Sequence, residues 1–307
     1  MARGRSPAVS VIIPSYNHKD YVIQAIESVL AQGLRDIDLI VIDDGSTDGS
    51  GEIIDEFLKK HGGFHFVRRE NRGLVRTLNE GLGMAKGDLF CELASDDYLP
   101  PDSLDIRSEP FLDDGGLVAV YGDAISVLGQ RVTGKRLTGE KRKRVFSEPD
   151  PIPSLLRAVQ PIFATGLFKT EIFMRMGGFD ERFRYYEDLD TPLRLHLEGR
   201  IVFLDRPVLY RREHAANVSS QRSPRLQERI LCYWKFLEDP RLASYRKIIK
   251  HRLMRTYLAL ARLVNKNKAC SASERDVLQK GWRFAWMDPR LLYLLLRYGI
   301  RRGNKGG

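Results

Sequence analysis

Asp43-Asp44-Gly45-Ser46, Ser95-Asp96-Asp97 and Glu187-Asp188 are acidic clusters of the kind that bind, orient or deprotonate a ligand. A carboxylate in the first can accept a hydrogen bond from a base N–H or a ribose hydroxyl. The same residues also make an ordinary turn, because Asp, Gly and Ser all favour turns. The adjacent carboxylates of Asp96 and Asp97 repel unless something positive offsets them. Mg2+ or Mn2+ would do so, since each takes oxygen ligands and shares them with phosphates. The plain alternative is a solvated helix start ahead of Pro100-Pro101. Acids at 187, 188 and 190 precede a helical pattern, where they could compensate the helix dipole or supply a general base for an acceptor hydroxyl. His214, alone in YRREHAANVS, could be a metal or phosphate contact, although a lone histidine is more often structural or exposed.

Such clusters need a frame that converges them. Residues 8–14, 38–42, 64–68 and 88–93 are short apolar or β-branched runs and are predicted as strands. Residues 21–32, 51–60 and 73–85 carry apolar side chains at helical spacing. Strand and helix alternating at this pitch predict a parallel sheet with helices on its faces. Ligands in such a sheet sit beyond the carboxyl ends of the strands. Pro14-Ser15-Tyr16-Asn17, the Asp43 cluster and the Asp96 cluster each follow a strand, so they are expected on one rim. Residues 118–122 and 201–204 add strands, 177–180 a turn and 190–198 a helix. The basic stretch 129–153 is expected to be a mobile loop. From 223 onward the pattern is mostly helical, with Asp239-Pro240 and Asp288-Pro289 suited to helix starts. A boundary is expected near 215–222, giving domains 1–220 and 221–307.

The 307 residues are 43 % hydrophobic and 29 % charged, an ordinary globular composition with a net charge of +10. The basic excess lies in 131–145 and after Arg222, which favours an anionic surface partner for the C-terminal part over a nucleic-acid-reading core. Three cysteines without a C-x-x-C argue against a disulfide framework or zinc site and for a reducing cytoplasm. The N-terminal apolar stretch is too short for a good signal peptide. No run of about 18 apolar residues predicts a membrane span.

VSVIIPSYN, VIDDGSTDGS, ENRGLVRTLNEGL, LASDD and GGFDERFRYYEDLD occur in that order over about residues 8 to 215, and together they resemble glycosyltransferase family 2. The resemblance implies a GT-A fold, an open mixed sheet sandwiched by helices, here with a C-terminal helical appendage. It implies inverting transfer of a sugar from a nucleotide-diphosphate donor, UDP-sugars foremost, to a hydroxyl of a glycan or lipid-linked acceptor in cell-surface glycan or glycolipid synthesis. By position, Pro14, Ser15 and Tyr16 would line the nucleotide pocket, Asp44 would hold the base and Arg72 would lie near the nucleotide. Asp96 would face the ribose or donor sugar, Asp97 would bind the divalent metal, and Asp188 matches the catalytic base. His214 is similar to a histidine that approaches the metal or diphosphate in some relatives.

Two departures from the pattern matter. Ser95 stands where the metal motif D-x-D often has its first Asp, so the cation would depend mainly on Asp97 and the diphosphate. The Q-x-x-R-W motif of processive synthases is absent, which predicts a non-processive enzyme. The first strand is followed by PSYNHKD instead of the G-x-G-x-x-G of a dinucleotide site. A Gly- and Lys-rich triphosphate loop is also missing, which disfavours a sugar nucleotidyltransferase. A catalytically inactive glycan- or nucleotide-binding protein on the same fold is the remaining alternative. The mixture of Trp, Tyr, Leu and Arg at 281–302 suits a helix lying on an anionic bilayer, which would make the protein peripheral on the inner face of the membrane. It also suits a helix docked on the protein's own core or an oligomer contact. The basic 131–145 segment could clamp an anionic acceptor or simply be solvated.

Overall fold

The structure, a computed structural model, describes residues 8–184, 187–213, 222–267 and 270–300. The chain divides into two compact units. One comprises Met1–Pro151 with Val159–Asn217, the other Ile152–Ala158 with Val218–Gly307.

The first unit opens with β1 (Val9–Ser15), α1 (Val22–Leu30), β2 (Ile37–Asp44), α2 (Ser50–His61), β3 (His65–Arg69), α3 (Leu74–Met84) and β4 (Leu89–Glu92). β1 is buried almost throughout because helices cover both faces of the sheet, which is why its sequence reads as a continuous apolar run. Alternate side chains serve different cores. Val9, Val11 and Ile13 pack with Val22, Ile26 and Val29 of α1, whereas Ile12 packs with Val75, Leu78 and Leu82 of α3. Gly81 lets α3 approach β1, since a Cβ there would lie 2.5 Å from Ile12 Cγ2.

Next come α4 (Ser103–Ser108), α5 (Pro110–Asp113), β5 (Leu117–Leu128), β6 (Arg131–Arg136) and α6 (Glu140–Val145). The short helix α7 (Ile152–Leu156) belongs to the second unit, and the first resumes with β7 (Leu167–Lys169), α8 (Thr170–Arg175), α9 (Glu187–His196) and β8 (Arg200–Glu213). The eight strands form one sheet in the order β3-β2-β1-β4-β7-β5-β6, with β8 pairing β5. β1 to β4 are mutually parallel where they pair, β7 is antiparallel to β4 and β5, and β8 is parallel to β5. The sheet is therefore mixed, with its parallel half holding the acidic rim.

The stretch expected as a mobile loop is instead largely ordered. β6 turns back on β5 as a hairpin through Gly129, at φ 61, and Gln130. Both faces of β6 are largely solvated, so no period-two alternation marks it in the sequence. Arg136 reaches the buried Asp123 at 2.7 Å, and Arg136 and Lys143 meet Asp205 at 2.9 and 2.8 Å. Two of the basic residues of 131–145, Arg136 and Lys143, are thus matched by the protein's own acids.

In the second unit, α10 (Arg222–Glu238), α11 (Arg246–Asn267), α12 (Ala272–Lys280) and α13 (Pro289–Arg297) pack around Tyr233, Leu253, Tyr257 and Leu295. Asp239 and Asp288 each accept a hydrogen bond from the backbone two residues on, ahead of Pro240 and Pro289. Ser271 and Glu274 form a reciprocal capping box at the start of α12. No helix among the described residues is long and apolar enough to cross a membrane.

Gly81→Val should destabilise the first unit by about 1–3 kcal/mol through overpacking against Ile12. Urea unfolding checks this, and unchanged stability would show that α3 does not pack on β1 at that point.

Candidate functional site

The register of the parallel half brings the sequence clusters together. Ser15 on β1 lies opposite Asp43 on β2, and Asp44 lies opposite Arg69 on β3. The loop after β1 is then tied to the loop after β2. The Asn17 amide donates to Ser46 Oγ at 2.9 Å, the Thr47 amide to Asn17 Oδ1 at 2.8 Å, and the Lys19 amide to Asp48 at 2.9 Å. Asn17 takes the left-handed conformation, φ 55, which Asn tolerates well. Gly45 has φ 77, and any Cβ there would collide with the Asn71 amide at 2.6 Å, so the turn requires glycine.

Asp44 organises the third loop. It accepts hydrogen bonds from the Arg72 and Gly73 amides at 2.7 and 2.9 Å and is ion-paired with Arg69. Arg69 also holds Glu80 at 2.7 Å and Thr77 at 2.9 Å, both on α3. The Arg72 side chain is exposed and lies 3.9 Å from Glu80. Among the described residues, buried Ser15 Oγ and Asp43 Oδ2 have no hydrogen-bond partner. They are polar atoms on this rim with unused capacity.

The Asp96 cluster follows β4, next to β1. His18, in the loop after β1, joins the clusters. Its amide donates to Ser50 Oγ at 3.1 Å, and its Nδ1 is 2.8 Å from Ser95 Oγ and 4.0 Å from Asp96. Asp97 is buried and accepts the Arg212 amide of β8 at 2.8 Å. Burial, and after it the neighbouring Asp96 charge, push the Asp97 carboxyl up to about 7. The Arg212 side chain is held just as firmly. Its guanidinium bonds the Asp96 carbonyl and Gln24, and lies 5.0 Å from the Tyr21 ring and 4.8 Å from the Tyr98 ring. Tyr98 and Tyr210 exchange backbone hydrogen bonds and so fasten this turn to β8.

The turn before α9 is clamped to α3. Asn79 bonds both backbone groups of Phe179 at 2.9 Å, and Gly178, at φ 69, could carry no Cβ without meeting Asn79 Oδ1 at 2.7 Å. Arg194 on α9 donates to the Met176 and Gly178 carbonyls at 3.0 and 2.7 Å and pairs with buried Asp190 at 2.7 Å. These contacts fix where α9 begins. Asp188 stands in its first turn, but its side chain lies outside the described residues, as does His214.

Of the residues expected at the site, Pro14, Ser15, Tyr16, Asp44, Arg72, Asp96 and Asp97 thus come from the ends of neighbouring strands and the loops that follow them. His18, Asn79, Arg194 and Arg212 escaped the sequence reading. No local signal in the sequence marked Arg212, which acts on Asp96 from 116 positions away. The GGFD block invites a search for a distant clamp such as Asn79. Among the described residues no three His, Cys, Asp or Glu side chains form a ready-made metal cage.

The profile of Glycosyl transferase family 2 matches residues 10–167, just over half of the chain. This chain belongs to glycosyltransferase family 2. An uncharacterized glycosyltransferase of Rickettsia typhi is 30% identical over 228 residues, covering 73% of this chain and 69% of that protein. Chondroitin synthases of Escherichia coli and Pasteurella multocida are 34% and 27% identical over 117 and 217 residues, but the matches cover only 17% and 22% of their lengths. S. aureus TarS 1-349 in complex with UDP-GlcNAc shares the fold with a TM-score of 0.64 at 21% identity, over 94% of this chain and 83% of that one. Mannosyltransferase PcManGT from Pyrobaculum calidifontis, in complex with GDP-Man and Mn2+, gives 0.59 at 20% identity, over 96% and 85%. The chain thus has a GT-A fold, an open mixed sheet flanked by helices with a helical C-terminal region.

The raised Asp97 carboxyl has a consequence for stability. Between the usual carboxylate value and about 7 the native state binds a proton that the unfolded chain has lost. The stability of the protein in chelator should therefore fall as pH rises through that window and level off above it. Asp97→Asn removes the titration, so its melting temperature should gain on the wild type between about pH 5 and about pH 8. A difference that stays constant with pH would show that Asp97 ionises normally.

Proposed function

We propose that this family 2 enzyme moves one sugar from a nucleotide-diphosphate donor, UDP-sugars foremost, to a hydroxyl of a glycan or lipid-linked acceptor in cell-surface glycan or glycolipid synthesis. Transfer is non-processive and inverts the anomeric centre. The observation that carries this reading is the acidic rim itself. Asp44, Asp96 and Asp97 end adjacent parts of one sheet, and buried Asp97 prefers to keep a proton beside Asp96. That TarS and PcManGT were solved with UDP-GlcNAc and with GDP-Man and Mn2+ supports a nucleotide-sugar donor on this fold.

A divalent cation fits these residues. The donors are hard carboxylate oxygens, and a cation would offset both the desolvation of buried Asp97 and its repulsion by Asp96. Asp97 would hold it, joined by His214 on the strength of the family resemblance. When bound, Mn2+ or Mg2+ supplies positive charge that neutralises the diphosphate leaving group.

The chain's own residues do the remaining work. Pro14, Ser15 and half-exposed Tyr16 line one side of the nucleotide pocket. Asp44, anchored by Arg69, receives the base, with Arg72 at the mouth. Asp96 faces the ribose or donor sugar. Arg212 keeps Asp97 in place through its amide and Asp96 through its guanidinium. Asp188, at the head of α9, accepts the acceptor proton as the hydroxyl oxygen bonds to the anomeric carbon and the bond to the diphosphate oxygen breaks on the opposite face.

A panel of nucleotide sugars with and without Mn2+, read as nucleoside diphosphate release, tests the class. Release from no donor would leave a binding protein. Asp188→Asn should lower kcat by about 100-fold or more while nucleotide affinity stays almost unchanged. A fully active variant would assign the base elsewhere. Arg212→Lys, which keeps the charge and loses the planar fork, should raise the Mn2+ concentration needed for half-maximal rate by about 10- to 100-fold. An unshifted requirement would show that the Arg212 guanidinium does not position the Asp96-Asp97 turn.

A further inference from the structure

The second unit carries a surface that glycosyl transfer does not use. α11 holds seven Lys or Arg residues and His251 across its length and contains no Asp or Glu. A groove of about 560 Å³ runs along it, lined by His251, Arg255 and Arg262 and floored by Met254, Leu258 and Met287. Arg255 and Arg262 are exposed, and among the described residues neither forms an ion pair or hydrogen bond.

Beside this groove lies an apolar stripe. Leu291, Leu294 and Leu295 of α13 are buried, but its opposite face presents Tyr293 and Leu296, 59% and 62% exposed. Trp286, just before the helix, is 80% exposed. Its indole N–H is already spent on the Arg283 carbonyl at 3.0 Å, so the bare ring makes no polar demand on a partner. Arg290 and Arg297 are exposed on the same helix, and Arg290 also holds Asp288 at 2.6 Å. Aromatic and aliphatic groups therefore alternate with cations on one exposed stripe.

We propose that this face of the second unit, the Arg255–Arg262 groove with Trp286, Tyr293 and Leu296, docks on the surface of an anionic lipid bilayer. The pattern matches both layers of that surface. Arginines meet lipid phosphates, and Trp, Tyr and Leu enter the boundary between headgroups and acyl chains. A second copy of the chain fits poorly, because self-association here would oppose arginines with few acids to answer them. A nucleic acid would satisfy the arginines and leave Leu296 and Trp286 in water.

Vesicle co-sedimentation of the full chain tests the proposal. Binding is expected to vesicles containing phosphatidylglycerol and not to phosphatidylcholine alone, and it should weaken as salt rises. Arg255→Glu with Arg262→Glu should lower partitioning by about tenfold or more, since each cation near the surface contributes about fivefold. Trp286→Ser with Tyr293→Ser and Leu296→Ser should also lower it by about tenfold or more. Circular dichroism and unchanged nucleotide binding verify that these variants fold, and Arg255→Gln alone serves if they do not. Equal binding to both vesicle types, no binding, or variants that bind like the wild type overturns the proposal. Binding to duplex DNA that survives while vesicle binding is absent, or a dimer dispersed by the apolar substitutions, also overturns it.

Discussion

Two adjacent carboxylates at the end of a buried strand set the terms for the rest of the first unit. Asp97 is shielded from water and next to Asp96, so its ionised form is costly without a positive neighbour. The fold provides only partial relief. Arg212 gives Asp97 a backbone amide and turns its guanidinium to the Asp96 carbonyl, Gln24 and two tyrosine rings. A site that fully neutralised its acids would have little affinity left for a cation bridging to phosphate.

Asp44 shows the opposite arrangement. Its oxygens are engaged by Arg69 and by two amides of the 72–73 loop. The carboxylate thereby becomes a structural hub that couples β2, β3 and α3, and a ligand reaching it meets a rigid acceptor whose direction is already set. Ser15 and Asp43, each with an unpartnered buried oxygen, lie at the same level of the sheet. The rim thus combines one firmly anchored acid, with acceptor capacity left on its Oδ2, and neighbours that retain more.

The parallel half of the fold was legible because its strands are buried on both faces and its helices on one. That produces long apolar runs alternating with amphipathic segments. The first three clusters followed directly, since a strand end in such a sheet is where side chains are free to face a ligand. β6 was missed because a strand with both faces solvated leaves no periodic signature. Arg212 and Asn79 were missed for a different reason. Each acts across a hundred residues or more, on Asp96 and on Phe179 respectively, and local spacing carries no information about such pairs. The family resemblance located Asp188 but gave no hint of the clamps through Asn79 and Arg194 that determine where its helix starts.

The net charge of +10 likewise changes meaning once its parts are placed. Residues 218–307 contain 21 Lys and Arg against 6 Asp and Glu, whereas the rest of the chain contains 29 against 34. In the first unit cations are drawn into internal work: Arg69 on Asp44, Arg136 on Asp123, Lys143 on Asp205 and Arg194 on Asp190. Such pairs fix geometry and leave little field at long range. On α11 there are no acids to consume the charge, so it remains as a surface potential available to an outside anion. One sequence-wide number therefore combines two different uses of arginine, and only the positions of the acids separate them.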